Sequence, residues 1–157
     1  MIKSLFQKVI VAYNGSKSSL NALMYGIVLA KIHKIQLKIV YVVDSASIKS
    51  LVLTKIMIVE EGERVRKALE EDGKKNLEYA LSLAKKKGVN SEADLRSGSV
   101  WSEIISAANS FDASLILIGG QGNGKDISRQ DSEIIARSQC SVMVVKDVYM
   151  EQKFKLA

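Results

Sequence analysis

The chain of 157 residues contains no proline, which is unusual and carries no evident functional meaning. It has one cysteine, Cys140, so an internal disulfide is excluded and a reducing compartment is expected. It has one histidine, His33, and that ligand count excludes a zinc site. No apolar run approaches the roughly 18–20 residues of a membrane span. The opening Met1-Ile2-Lys3-Ser4-Leu5-Phe6-Gln7-Lys8 has neither a long apolar region nor a small-residue cleavage site, so it does not read as a signal peptide. Together these absences lead us to expect a cytoplasmic protein.

The apolar fraction of 47 % and charged fraction of 25 % are those of an ordinary globule, and the length suits one domain with its own core. The formal net charge of +6 favours an anionic partner: a nucleotide, a nucleic acid or an acidic surface. The positive residues are scattered and spell no nucleic-acid recognition motif. Lys85-Lys86-Lys87 closes a predicted helix, where positive charge suits the helix dipole.

Strand and helix patterns alternate along the chain. Val9 to Tyr13, Leu37 to Val43, Leu115 to Ile118 and Val142 to Val145 are short apolar runs with the pattern of buried strands, and Ala93-Asp94-Leu95 is a weaker one. Between them, Leu20, Leu23, Met24, Ile27 and Val28 recur at helical spacing. So do Val65, Leu69, Leu77, Leu81 and Ala84, then Val100, Ile104, Ile105 and Ala108, and a last helix carries Ile134 and Ile135. Gly73 lies on the stripe of the second helix, which predicts close approach to the sheet. Ser45 to Glu60 is the least regular connection, and its run Leu51 to Val59 is too apolar for a solvated loop. It is expected to be a short helix, a lid or a partner surface. This order predicts an α/β fold: a single domain with a five-stranded, doubly wound parallel sheet and helices on both faces. Ligands on such sheets bind beyond the carboxyl ends of the strands. Two loops fit that crevice: Asn14-Gly15-Ser16, and the glycine loop that follows Ile118.

The glycine loop, Gly119-Gly120-Gln121-Gly122-Asn123-Gly124-Lys125, is the one stretch that suggests a ligand. Backbone N–H groups after a strand can point at phosphate, and glycine removes the Cβ that would keep it away. A turn leaving a buried strand also needs glycine. Gly119 to Lys125 spells G-x-x-x-x-G-K, but Asp126 stands where a P-loop has the hydroxyl that ligates Mg²⁺. Ser128-Arg129-Gln130-Asp131 fits a helix capping box with Asp in place of Glu. His33 reads as a solvated helix end, Cys140 as a small buried filler and Trp101 as packing.

Taken in order, Val9 to Ser16, Leu37 to Asp44, Gly98, Leu115 to Gly122 and Gln139 to Val145 resemble the universal stress protein family, from Lys8 to about Lys146. The resemblance implies a Rossmann-like, adenine-nucleotide α-hydrolase-like domain over residues 1–146, with a tail at 147–157. It also implies a homodimer, here paired through the edge strand Val142, Met143, Val144 and Val145. Its nucleotide-binding branch carries G-x-x-G, nine residues, then G-[S/T], which hold the phosphates and ribose of ATP, with an aspartate after the first strand. Gly119 and Gly122 match the first pair of glycines. Asn14 takes the place of the aspartate. Nine residues past Gly122 stand Ser132-Glu133, and alignment from the last strand backwards reaches Ser128-Arg129, so the second glycine is missing. Gly124, Lys125 and Ser128 are the surviving substitutes. The implied site is then Ala12, Asn14 and Val42 around adenine, with Gly119, Gly122, Gly124, Lys125 and Ser128 toward the phosphates of ATP or AMP. The resulting expectation is a dimeric stress-response binding module with weak nucleotide affinity. A scaffold of the same fold without nucleotide, and an ATP-cleaving enzyme, are the alternatives. No histidine-bearing motif or carboxylate pair supports the enzyme.

Overall fold

The computed structural model describes residues 5–120, 127–147 and 149–157. Its elements follow the alternation read from the sequence. They are β1 (Lys8–Ala12), α1 (Lys17–His33), β2 (Gln36–Val43), α2 (Ser45–Leu53), α3 (Val59–Lys86), β3 (Ser91–Ser97), α4 (Val100–Phe111), β4 (Leu115–Gly119), α5 (Arg129–Arg137), β5 (Ser141–Val145) and α6 (Met150–Leu156). All pairings are parallel, in the order β3-β2-β1-β4-β5. The winding reverses between β1 and β4, which opens a crevice at their carboxyl ends.

Alternate residues of the strands feed two cores. Val9, Val11, Leu37, Ile39 and Leu117 pack under α1 and α3, while Ile10, Val40, Ile116 and Ile118 pack under α4 and α5. Because both faces are covered, the central strands read as unbroken apolar runs. The outer strand β3 is polar, and it is the strand whose sequence signal was weakest.

Gly73 shows why a glycine sits on a helical stripe. A Cβ there would lie 2.8 Å from Leu95 Cδ1 and 2.9 Å from the Tyr41 ring, so its absence lets α3 close on the sheet. Ser45 to Glu60 is not a loop. It forms α2, a tight turn and the first turn of α3, and α2 packs on α3. Residues Met150–Leu156 form α6, whose Met150 and Phe154 join the core cluster beside α1. Among the described residues, no helix is long and apolar enough to cross a membrane.

Candidate functional site

A cavity of about 480 Å³ opens at the carboxyl ends of β1, β2 and β4. That lies within the roughly 300–1,000 Å³ of small-molecule sites. Its floor is apolar: Ala12, Val40, Val42, Ile104, Ile118 and Ile134 belong to the core on the α4 and α5 side. Its rim is polar and is built from helix beginnings. Ser16 caps α1 and accepts from Ser19 N–H at 3.2 Å. Ser128 caps α5 and accepts from Asp131 N–H at 3.1 Å, as the capping box predicts. Val100 opens α4, whose Trp101 N–H donates to Gln130 Oε1 at 3.0 Å, so α5 supplies a cap that Ser99 does not. Converging N-termini present partial positive charge to whatever occupies the cavity.

Asn14 is oriented by its neighbours. Its Oδ1 accepts from Ser16 N–H at 3.0 Å and from Ser19 Oγ at 2.8 Å. A backbone N–H can only donate, so the oxygen faces α1 and the Nδ2 donor turns away. Among the described residues that Nδ2 has no partner. An aspartate at this position could only accept; this asparagine offers a donor.

Val42 contributes through its backbone. Tyr13 N–H reaches Val40 O at 2.9 Å, and Ala12↔Val40 is the last pairing of β1 with β2. Peptide groups on one side of a strand recur at every second residue, so those of Val42 face the side that β1 has vacated. Gly119 has a structural reason of its own. A Cβ there would lie 2.3 Å from Ser18 C and O, so only glycine lets β4 end against the first turn of α1.

The structure thus brings Ala12, Asn14, Val42, Gly119 and Ser128 to one cavity. Gly122, Gly124 and Lys125 lie outside the described residues. Sequence reading missed Ser18, Ser19, Asp44, Gln130 and Asp131, which also line it. Asp44 carried a usable signal, since an acid directly after a predicted strand sits where such folds bind ligands. Burial raises the Asp131 carboxyl above the usual aspartate range, with a hydrogen bond to Ser128 pulling the other way. Burial also raises the Tyr13 and Tyr41 hydroxyls, reinforced at Tyr13 by Tyr79 and Tyr41 and at Tyr41 by Asp72. Among the described residues the lining contains Asp44 and Asp131 but no lysine or arginine. No group of three or more His, Cys, Asp or Glu side chains there could hold a metal.

The other singled-out residues lie elsewhere. His33 is exposed in the last turn of α1. Cys140 is half-buried against the α4 and α5 core, with its Sγ 3.4 Å from Ser138 Oγ. Trp101 packs in the same core under the guanidinium of Arg137, 4.8 Å from its ring centre.

Comparison with known proteins agrees with this architecture. A family model described as the universal stress protein family matches residues 5–146. Universal stress protein YxiE of Bacillus subtilis is 31% identical over 151 residues, covering 90% of this chain and 100% of that protein. A universal stress protein family structure from Burkholderia pseudomallei superposes with a TM-score of 0.75 at 22% identity, covering 93% of this chain and 100% of the other. One from Arabidopsis thaliana with AMP bound gives 0.66 at 18% identity, covering 88% and 90%. At those identities the solved structures speak for the fold.

Proposed function

Since the chain belongs to the universal stress protein family, we propose that it is a stress-response binding module whose cavity takes an adenine nucleotide. The observation that carries this reading is the cavity's division into an apolar floor and a rim of helix N-termini. A purine is flat and mostly apolar, and a phosphate needs N–H donors; the two halves suit the two ends of one ligand. Adenine would rest near Ala12 and Val42, where the open peptide groups of Val42 can read its edge and Asn14 Nδ2 can donate. Phosphate would meet the first turns of α1 and α5 near Gly119 and Ser128. A fold relative with AMP bound supports the ligand class.

With two carboxylates and no cation in the described lining, added phosphates gain little. AMP should therefore bind at least as well as ATP. Affinity should be weak, about tens of micromolar to millimolar, or about −4 to −6 kcal/mol. Calorimetric titration with AMP and ATP, with GMP as control, tests this. Saturable AMP binding that Ala12→Phe abolishes supports it. Binding of none of these nucleotides would leave the scaffold reading.

The protein would act as a homodimer through β5. The Gly120 N–H to Val145 O bond, at 2.8 Å, turns residues 141, 143 and 145 toward β4, so Val142 and Val144 aim their peptide groups outward. An apolar edge of this kind invites a second strand. Val144→Pro removes an outward N–H at a place where edge strands tolerate proline. It should turn a sedimenting dimer into a monomer without unfolding the domain.

A further inference from the structure

Most of the chain's excess positive charge collects at the end of the domain away from the cavity. α1 starts at the cavity rim, capped by Ser16, and runs 17 residues, or about 25 Å, to a last turn with Lys31 and His33 and a C-cap at Lys34. Two contacts bring the ends of α3 and α6 to the same place. Lys31 Nζ donates to Ala157 O at 2.8 Å, and Lys87 Nζ lies 4.8 Å from the centre of the Phe154 ring. Across residues 31–34, 85–87 and 147–157 there are seven lysines, no arginine and two acids, set against a net charge of +6 for the whole chain. Both acids are already used: Asp147 pairs with Lys153, and Glu151 with Lys155 at 3.7 Å. Lys34, Lys85, Lys86 and Lys87 have no ion-pair partner among the described residues. α1 contains no acid, and the last acid before Lys85 on α3, Glu78, stands at helical spacing from Lys74 and Lys75.

Like charges gathered without counter-charges repel one another, and an anionic partner relieves that repulsion. Lys34 adds to the case. It holds a left-handed backbone, φ 53° and ψ 43°, at a helix end where glycine costs less, so a charge is kept there at the backbone's expense. Two aliphatic side chains select the kind of anion. Ile32 and Leu156 are 66% and 89% exposed, and each is the chain neighbour of a residue in the Lys31–Ala157 contact. Aliphatic groups set among lysines enter the headgroup boundary of a bilayer while the ammonium groups meet its phosphates. A nucleic acid has no use for them, and the arginines that read it are absent from these segments. We propose that the converging ends of α1, α3 and α6 form a docking surface for an anionic phospholipid membrane. The protein rests on the bilayer by this end, with the cavity facing away. The contact is peripheral and reversible, and it depends on neither the nucleotide nor the β5 edge.

The test is co-sedimentation of the full chain with vesicles of phosphatidylcholine alone, and of phosphatidylcholine with phosphatidylglycerol in equal parts. The chain should bind only the anionic vesicles, and salt raised to about 0.5 M should release it. Lys85→Glu/Lys86→Glu should weaken binding by about 25-fold or more, at about fivefold for each lysine lost. Lys34→Gly should weaken it about fivefold while holding or raising the melting temperature, which separates the charge from the fold. Ile32→Gln/Leu156→Gln should weaken it at unchanged charge. Lys49→Glu/Lys55→Glu makes the same charge change on exposed residues of α2 and the turn that joins it to α3 (the α2–α3 tip), and should have little effect. A chain that ignores anionic vesicles overturns the proposal. So does a tip variant that binds as weakly as Lys85→Glu/Lys86→Glu, or an Ile32→Gln/Leu156→Gln variant that binds like the parent. Tighter binding to a DNA duplex than to the anionic vesicles at the same salt also overturns it.

Discussion

The cavity floor and the α2–α3 tip are both apolar, yet they do opposite things. The floor is concave, continuous with the core, and fenced by capped helix beginnings. The tip is convex, with Leu53 and Ile56 exposed, and supported only from below by Gly62 and its neighbours. A concave apolar surface can enclose a small ligand, whereas a convex one loses water only against a larger surface. Shape therefore suits the two surfaces to different kinds of contact.

The sharpest way to test that contrast is at two glycines. Gly119→Ala at the cavity places a Cβ 2.3 Å from Ser18 backbone atoms, which cannot move without displacing α1. We expect a loss of about 3 kcal/mol, at the upper end for overpacking, in urea denaturation. Gly62→Ala under the tip meets only side-chain ends, Val52 Cγ2 at 3.0 Å and Ile48 Cγ2 at 3.3 Å. Relief of about 1 kcal/mol of glycine's helix penalty should offset that crowding and leave stability nearly unchanged.

Isoleucines give the next contrast. Ile104→Ala in the cavity wall, where the residue is 1% exposed, should cost about 2–5 kcal/mol. Ile56→Ala at the tip should stay within about 0.5 kcal/mol. Equal costs would mean that the tip is packed in the free chain.

Helix caps give a smaller one. Ser128→Ala should cost about 1 kcal/mol of global stability and weaken AMP binding, because α5 begins at the cavity. Asp44 caps α2 through Ser47 N–H at 3.1 Å, and α2 rests only on α3 among its main contacts. Asp44→Ala should therefore speed hydrogen exchange in α2 while barely moving the melting temperature. A large fall in melting temperature would show that α2 is integral to the core.

The smallest effect is the pH response of Asp131. Its carboxyl is raised by burial, so the folded protein holds that proton where the unfolded chain has released it. The native state then binds more protons, and stability falls as pH rises from the ordinary aspartate value through the raised one. Asp131→Asn should flatten the stability profile in that window and leave it unchanged below. An unaltered slope would place the carboxyl in water.

Much of the sheet was legible because buried parallel strands are apolar on both faces, so Val9 to Val11 and Leu115 to Ile118 announce themselves. The cap at Ser128 and the close approach at Gly73 were legible for the same reason: each is a local rule that one residue type satisfies. The segment Ser45 to Glu60 was legible only in part: a short helix was one of its three expected forms and is what α2 is, but which of its apolar residues face inward was not legible, because they serve two purposes. Ile48, Val52 and Met57 pack inward, while Leu53, Ile56, Ile58 and Val59 face out, and composition cannot separate them. Asn14 was legible as a turn residue, but the direction of its amide was not, since that depends on Ser16 and Ser19 folding back onto it.

The sequence by itself determined the five strands, the four helices between them, their order, the parallel sheet and the family, because periodicity and turn chemistry are local and survive without knowledge of distant contacts, whereas α2 and α6 were not assigned. Only the tertiary structure decided that Ala12, Val42, Ile104 and Ser128 share one cavity, that Gly119 is demanded by the backbone of Ser18, and that Leu53 and Ile56 have no cover. Those are relations between residues far apart in the chain, and they exist only once crossovers and packing have fixed which surfaces meet and which remain open.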